Sequence, residues 1–347
     1  MSHSNAQLNG NLKTLQILRA VAATSVVYYH IGPIPVFGAF GVDIFFVISG
    51  FVMALVISNG QTPTTFAINR ITRIIPLYWI LTTCVLILAA IKPDLLNSTT
   101  ANLTNYIKSI LFIPYFKENG ALHPMLAVGW TLNYEMFFYF CIWISIILSR
   151  NFYISITFAL LATSYLLLGN HSANSVLQSF FGNTIVFEFL LGIFAFKIYQ
   201  KKSMPKLNSL TLIIIAALSF SFMAYLEFSG YDLARFIKFG LPSVTLLLSV
   251  IALEETDFIK KNSLANVLAI IGDASYATYL SHIYIVEGIR KIGFQKFNII
   301  NPYTPLGVVV ILITSSLTGY ILYVVLDKPL SKFFKKELQS KLIQQQL

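Results

Sequence analysis

LQILRAVAATSVVYYHIGPIPVFGAFGVDIFFVISGF, residues 15–51, is the stretch that decides the fold. It holds two apolar runs, roughly 15–31 and 37–58, on either side of a break at Gly32-Pro33-Ile34-Pro35. Each run is long enough to be a membrane-spanning helix. Three ionisable groups interrupt them: Arg19, His30 and Asp43. An ionised group at mid-bilayer costs at least ~2.5–3.5 kcal/mol, so each marks a candidate functional position. Arg19 and His30 stand about 20° past three full helical turns from one another, hence on one helix face, with ~16 Å between them along the axis.

The rest of the composition agrees with a membrane setting. The chain has 347 residues, 56% of them hydrophobic and only 11% charged, with a mean hydropathy of +0.73. Soluble domains carry about 25% charged residues. The expected fold is therefore all-α, a polytopic membrane protein with about ten transmembrane helices. The spans are roughly 12–31, 37–58, 72–91, 132–149, 152–169, 180–199, 209–228, 235–253, 264–289 and 304–326. With the N-terminus inside, the inner segments carry most of the 24 Lys and Arg, which places both termini in the cytoplasm. The net charge of +10 is spread through short loops, so it reads as attraction to an anionic inner leaflet and not as a nucleic-acid surface. Residues 1–347 form one transmembrane domain, with a polar cytoplasmic tail at 1–11 and a basic amphipathic tail at 329–347. Cys84 and Cys141 fall within apolar runs and read as packing residues. The segment 107–116, IKSILFIPYF, is too short to span and reads as an interfacial or re-entrant piece, part of an outer segment able to act as a lid or acceptor surface.

Depth sorts the polar residues. In this topology Arg19 lies near the inner face, while His30 and Asp43 meet near the outer face across the Gly/Pro turn. A carboxylate beside an imidazole can fix its tautomer and raise its basicity, so Asp43 is expected to orient His30 as a general base; the structural alternative is a His–Asp pair that only locks two helices. Arg70 and Arg73, spaced i, i+3 at the inner mouth, suit bidentate phosphate binding, as on coenzyme A; ordinary inner-face anchoring would use the same residues. In VGWTLNYEMFFYF, residues 128–140, Trp130 and Tyr134 fit an interfacial aromatic belt, and Glu135 lies at the depth of His30. Glu135 can bind sugar hydroxyls, assist proton transfer or simply complement a helix start; Trp130 and Asn133 are candidate acceptor contacts. Ser275, Tyr279 and His282 form a polar stripe at i, i+4, i+7, in which His282 is an acyl carrier, a hydrogen-bond donor or a structural contact. Glu188, mid-span, suggests only a helix or cavity contact. No residue pattern suggests a metal site.

Together these motifs resemble the acyltransferase-3 family of integral membrane O-acyltransferases, over about residues 12–330. The resemblance rests on Arg19-x10-His30, GVDIFFVISGF at 41–51 with Asp43 and Ser49, Arg70-x-x-Arg73 with IIPLYW, and SYATYLSH at 275–282. VGWTLNYEMFFY and the short chain look most like the exopolysaccharide acetyltransferases of the ExoZ type. The family's late Glu-x-Pro is here Asp327-Lys328-Pro329, a conservative departure. The resemblance implies functional roles for Arg19, His30, Arg70 and Arg73. It implies acetyl transfer from cytoplasmic acetyl-CoA, a cosubstrate and not a resident cofactor, to a hydroxyl of an envelope polysaccharide or lipid-linked sugar at a bacterial inner membrane. A transporter or flippase of an envelope glycolipid is the alternative that the same intramembrane charges allow.

Overall fold

A computed structural model describes residues 12–32, 37–96, 98–170, 174–201 and 207–346. The tail at 1–11 and Pro33, Ile34 and Pro35 of the Gly/Pro break lie outside the described residues. Those described are helical, without a strand. In chain order the α-helices are α1 (Lys13–Ile31), α2 (Gly41–Ser58), α3 (Pro63–Ile91), α4 (Leu103–Ile110), α5 (Trp130–Leu148), α6 (Tyr153–Ser164), α7 (Ser175–Phe181) and α8 (Val186–Gln200). They continue as α9 (Ser209–Ser229), α10 (Leu241–Ala252), α11 (Asp257–Lys261), α12 (Ser263–Asp273), α13 (Ser275–Gly288), α14 (Pro305–Leu322) and α15 (Lys328–Gln346).

Among the described residues, six helical stretches are long and apolar enough to cross a membrane: Gly41–Ser58, Pro63–Ile91, Ala127–Leu148, Ser175–Gln200, Ser209–Ser229 and Pro305–Leu342. The apolar helices Tyr153–Gly169, Phe236–Ala252 and Ser263–Asp273 are shorter. Helix α1 does not reach that measure, because Lys13, Gln16, Arg19 and His30 dilute its apolar residues. Of the ten expected spans, those at 12–31, 152–169, 235–253 and 264–289 therefore fall short of that measure among the described residues, and two expected spans also start or break elsewhere. The span placed at 72–91 begins at Pro63, where Thr62 caps the backbone N–H of Thr65 and proline occupies the first turn. The span placed at 264–289 is two helices, α12 and α13, separated at Ala274. Each half packs on α1.

The chain divides into two compact units. The first comprises 1–61 and 187–320. At its centre α1 packs against α2, α12 and α13. Helices α2 and α8 cross with backbones in near contact: a Cβ on Gly50 would overlap the carbonyl of Phe189, and one on Gly192 would overlap that of Val47. Two carboxylates from distant helices cap α1 and α2, which lack capping side chains of their own. Glu254 accepts from the N–H groups of Lys13 and Thr14, at 3.1 and 2.7 Å. Glu227 accepts from those of Gly38 and Ala39, at 2.7 and 3.0 Å, just before α2. Negative charge at a helix start is favoured by the unpaired N–H groups and the macrodipole.

The second unit comprises 62–186 and 321–347. Here α3 packs against α4, α5 and α15. The expected interfacial piece, 107–116, is helical only in its first four residues, the end of α4, and that end is pinned to α3: Tyr78 Oη donates to the Ser109 carbonyl at 3.1 Å, and Trp79 Nε1 to that of Ile110 at 2.9 Å. The basic C-terminal tail is helical as α15. Cys84 and Cys141 are free thiols.

Candidate active site

The last turn of α1 carries His30, and α13 brings His282 against it. Nε2 of His282 lies 3.1 Å from Nδ1 of His30, and the rings meet edge-on with centroids 4.8 Å apart. The backbone then fixes which nitrogen carries hydrogen. His282 Nδ1 is 2.7 Å from the Tyr279 carbonyl, which only accepts. So Nδ1 of neutral His282 is the N–H, and its Nε2 presents a lone pair. His30 Nδ1 stands 2.9 Å from the Val26 carbonyl as well as facing that lone pair. It therefore bears the hydrogen and donates to both acceptors. Nε2 of His30 is left with the free lone pair, the atom of a general base. His282 is fully buried, while His30 is partly exposed. Ser275 and Tyr279 of the same helix are also buried, and the Tyr279 ring stands 5.8 Å from that of His282 and 5.9 Å from that of Phe45.

Asp43 has a different partner from the one expected. Its carboxylate takes both arms of a guanidinium fork, Arg235 Nε to Oδ1 at 2.8 Å and Nη2 to Oδ2 at 2.9 Å. The group that orients His30 is His282 and not Asp43. The reason is geometric: a bidentate charge-assisted pair saturates a buried carboxylate more fully than one imidazole N–H can. Glu188 faces the same pair, which gives this buried acid, with no role apparent from sequence, a place in a charged cluster.

In the second unit, Arg70 and Glu135 do not stand at opposite depths. The Arg70 guanidinium sits 5.8 Å from the centroid of the Tyr139 ring, and the Tyr139 hydroxyl donates to Glu135. One tyrosine therefore links the two, because α3 starts early and carries Arg70 about 10 Å inside the helix rather than ahead of it. Arg73 is held by Asp327 at 2.6 Å, the acid of the departed Glu-x-Pro motif. Buried Nε of Arg70 has no hydrogen-bond partner among the described residues, and neither does Oδ1 of buried Asn133. Trp130 stacks with His123 at 6.2 Å and meets the Tyr134 ring at 6.0 Å. In the first unit, Arg19 reaches Gln16 Oε1 at 3.4 Å. Among the described residues no three His, Cys, Asp or Glu side chains group as a metal site would require.

Comparison with known proteins decides the family. The acyltransferase-domain family matches residues 12–325. This chain belongs to the acyltransferase-3 family. Among relatives of this acyltransferase, the exopolysaccharide production protein ExoZ of Rhizobium meliloti is 28% identical over 296 residues, which is 84% of this chain and 89% of that protein. The O-acetyltransferase OatA of Staphylococcus aureus is 27% identical over 320 residues, 82% of this chain. A putative O-acetyltransferase of Staphylococcus aureus strain COL is 26% identical over 312 residues, 79% of this chain. The acyltransferase spans only about half the length of these two staphylococcal relatives, 52% and 50%. No solved structure matches it. Sequence reasoning passed over Arg235 and Glu227 as loop and span charges. For Glu227 a signal was present, an ionisable group at the edge of an apolar run; Arg235, between Asp232 and Lys238, does not stand out.

Proposed function

We propose that this acyltransferase is an O-acetyltransferase of a bacterial inner membrane, moving acetyl from cytoplasmic acetyl-CoA to a hydroxyl of an envelope polysaccharide: an exopolysaccharide, an O-antigen or a lipid-linked precursor. The observation that carries the reading is the hydrogen-bond polarity of the histidine pair, which frees the Nε2 lone pair of His30. In the reaction that nitrogen takes the proton of the sugar hydroxyl as the oxygen attacks the thioester carbonyl. The tetrahedral intermediate collapses, the C–S bond breaks, and the imidazolium returns the proton to the departing sulfur. The coenzyme's phosphates are assigned to Arg19, Arg70 and Arg73, with Arg73 held in place by Asp327. Trp130, Asn133 and Glu135 are assigned to the acceptor, Ser275 and Tyr279 to its positioning on the His282 side. The names of the relatives support the acetyl group and the polysaccharide; coenzyme A is supported by Arg19 and the Arg70/Arg73 pair alone. The acetyl group is transferred directly in this reading.

The experiment is mass analysis of envelope polysaccharide from cells lacking the gene, complemented with the wild type or with His30→Ala. The expected result is loss of ester-bound acetate in the variant while polymer export continues. Halted export with normal acetylation of the remaining polymer would replace this reading by glycolipid transport. Stable label on the protein after incubation with radioactive acetyl-CoA and no acceptor would replace direct transfer by an acyl-enzyme.

A further inference from the structure

Helix α1 stops at Ile31, and Gly32 closes it in the left-handed conformation at φ 72°. A helix end leaves its last carbonyls without intrahelical partners. Two of them are those of His30 and Ile31, and both are taken by a single group. Nη2 of Arg290 donates to the His30 carbonyl at 3.0 Å and to the Ile31 carbonyl at 3.1 Å. Nη1 of the same guanidinium donates to Glu287, and its carbon lies 6.0 Å from the centroid of the Tyr303 ring. Arg290 follows α13, the helix of His282, at the point where the backbone widens into the π-helical stretch Ile289–Lys296. Such widened turns re-aim side chains and recur at functional sites. Beneath this contact lies an apolar cluster of Val27 and Ile31 from α1, Val286 from α13 and Ile311 from α14.

We propose that Arg290, steadied by Glu287, is a positioning residue for His30. It ties the last turn of α1 to the helix of His282 and holds the two imidazoles at their 3.1 Å separation. This rests on the reading of His30 as the general base. Packing alone holds the helices together but leaves the last turn free to fray. The guanidinium satisfies the carbonyl of the base residue itself, and its positive charge complements the negative end of the helix dipole. A catalytic group displaced by ~1 Å can lose about 100-fold in rate, so the anchor acts on the chemistry without touching substrate.

The test uses the full chain, expressed in cells lacking the gene, as Arg290→Gln, Arg290→Lys, Glu287→Gln and His30→Gln. Two quantities are read: ester-bound acetate on the envelope polysaccharide, and the rate at which diethyl pyrocarbonate modifies His30 in isolated membranes, followed by mass spectrometry. R290Q is expected to lower acetate by about 10-fold or more and to change the His30 modification rate by at least about threefold, with R290K recovering most of both. R290Q present at wild-type amount, with both quantities within about twofold of wild type, overturns the proposal. Should R290Q fail to accumulate, E287Q decides: a loss of about threefold in acetate with an altered His30 rate supports it, and wild-type behaviour overturns it. If H30Q keeps its acetate, the general-base reading falls; the His30 modification rate in R290Q still shows whether the anchor holds the imidazole.

Discussion

Nδ1 of His30 donates to two acceptors at once, the carbonyl of Val26 four residues earlier and Nε2 of His282 more than 250 residues later. The first bond is local to α1 and the second is tertiary, and both leave the same nitrogen bare. His282→Ala should remove the tertiary acceptor while the local one keeps the tautomer. Envelope O-acetylation should therefore fall by about 10-fold, well short of the 100-fold or greater loss that removal of a general base brings. H282Q should recover part of the activity, since a Gln side chain offers an acceptor oxygen. Equal losses in H282A and His30→Ala would assign both histidines to the chemistry.

The Asp43–Arg235 pair is expected to hold the first unit together. Asp43→Ala leaves a guanidinium without its bidentate partner, and Arg235→Ala leaves a fully buried carboxylate unpaired. Breaking a buried pair from one side costs about 3–5 kcal/mol. Each single variant should show a lower unfolding midpoint in detergent or reduced accumulation in the membrane. The double variant should be less harmful than the sum of the two. Full additivity would show that the two side chains do not share one interaction.

Where α2 crosses α8, Gly50 and Gly192 each face a carbonyl of the other helix. Gly192→Ala should push the helices apart, because the obstacle is backbone and cannot rotate away. A destabilisation of about 1–3 kcal/mol is expected for such overpacking, measured as a fall in thermal midpoint. Gly60, with open space around its Cβ position, is not a neutral control, since its φ of 89° disfavours any side chain. Gly288→Ala, with open space and no such φ, is the control and should change the midpoint little.

Lys117 lies in the segment between α4 and α5, buried, with Nζ donating to Thr99 Oγ1. Burial holds its ammonium below the ordinary value of 10.5, with Glu118 opposing the shift. Between that lowered value and 10.5 the folded state binds fewer protons than the unfolded one, so stability should rise with pH across this window. Below it, burial of the charge disfavours folding. Lys117→Met should flatten the rise. Thermal unfolding of the purified protein from pH 7 to 10.5 checks this, and an unchanged slope in the variant would locate the effect elsewhere.

Tyr139 joins Arg70 to Glu135 through its ring and its hydroxyl. Tyr139→Phe keeps the ring over the guanidinium and removes the bond to the carboxylate. A hydrogen bond to a charged group contributes about 1.5–3 kcal/mol, so the variant should lose a few degrees of thermal midpoint. Tyr139→Leu should lose more, as the cation–π contact goes too.

The apolar helices were legible in the amino-acid sequence because the bilayer imposes a local rule: about 20 apolar residues in a row bury themselves as one helix whatever the rest of the chain does. The candidate residues were legible for the same reason, since a polar group in such a run stands out by its cost. His30, Asp43 and His282 were found this way, and Arg70 by its i, i+3 spacing from Arg73 ahead of an apolar run. The partners were not. Asp43 and Arg235 are 192 residues apart, and which groups meet depends on how each helix is rotated and where it crosses its neighbours, quantities that local periodicity does not encode. The break between α12 and α13 and the early start of α3 at Pro63 likewise follow from packing and capping and not from hydropathy. The nitrogen of His30 that is free to accept a proton was decided only by the fold, because that choice belongs to the groups facing the other side of the ring.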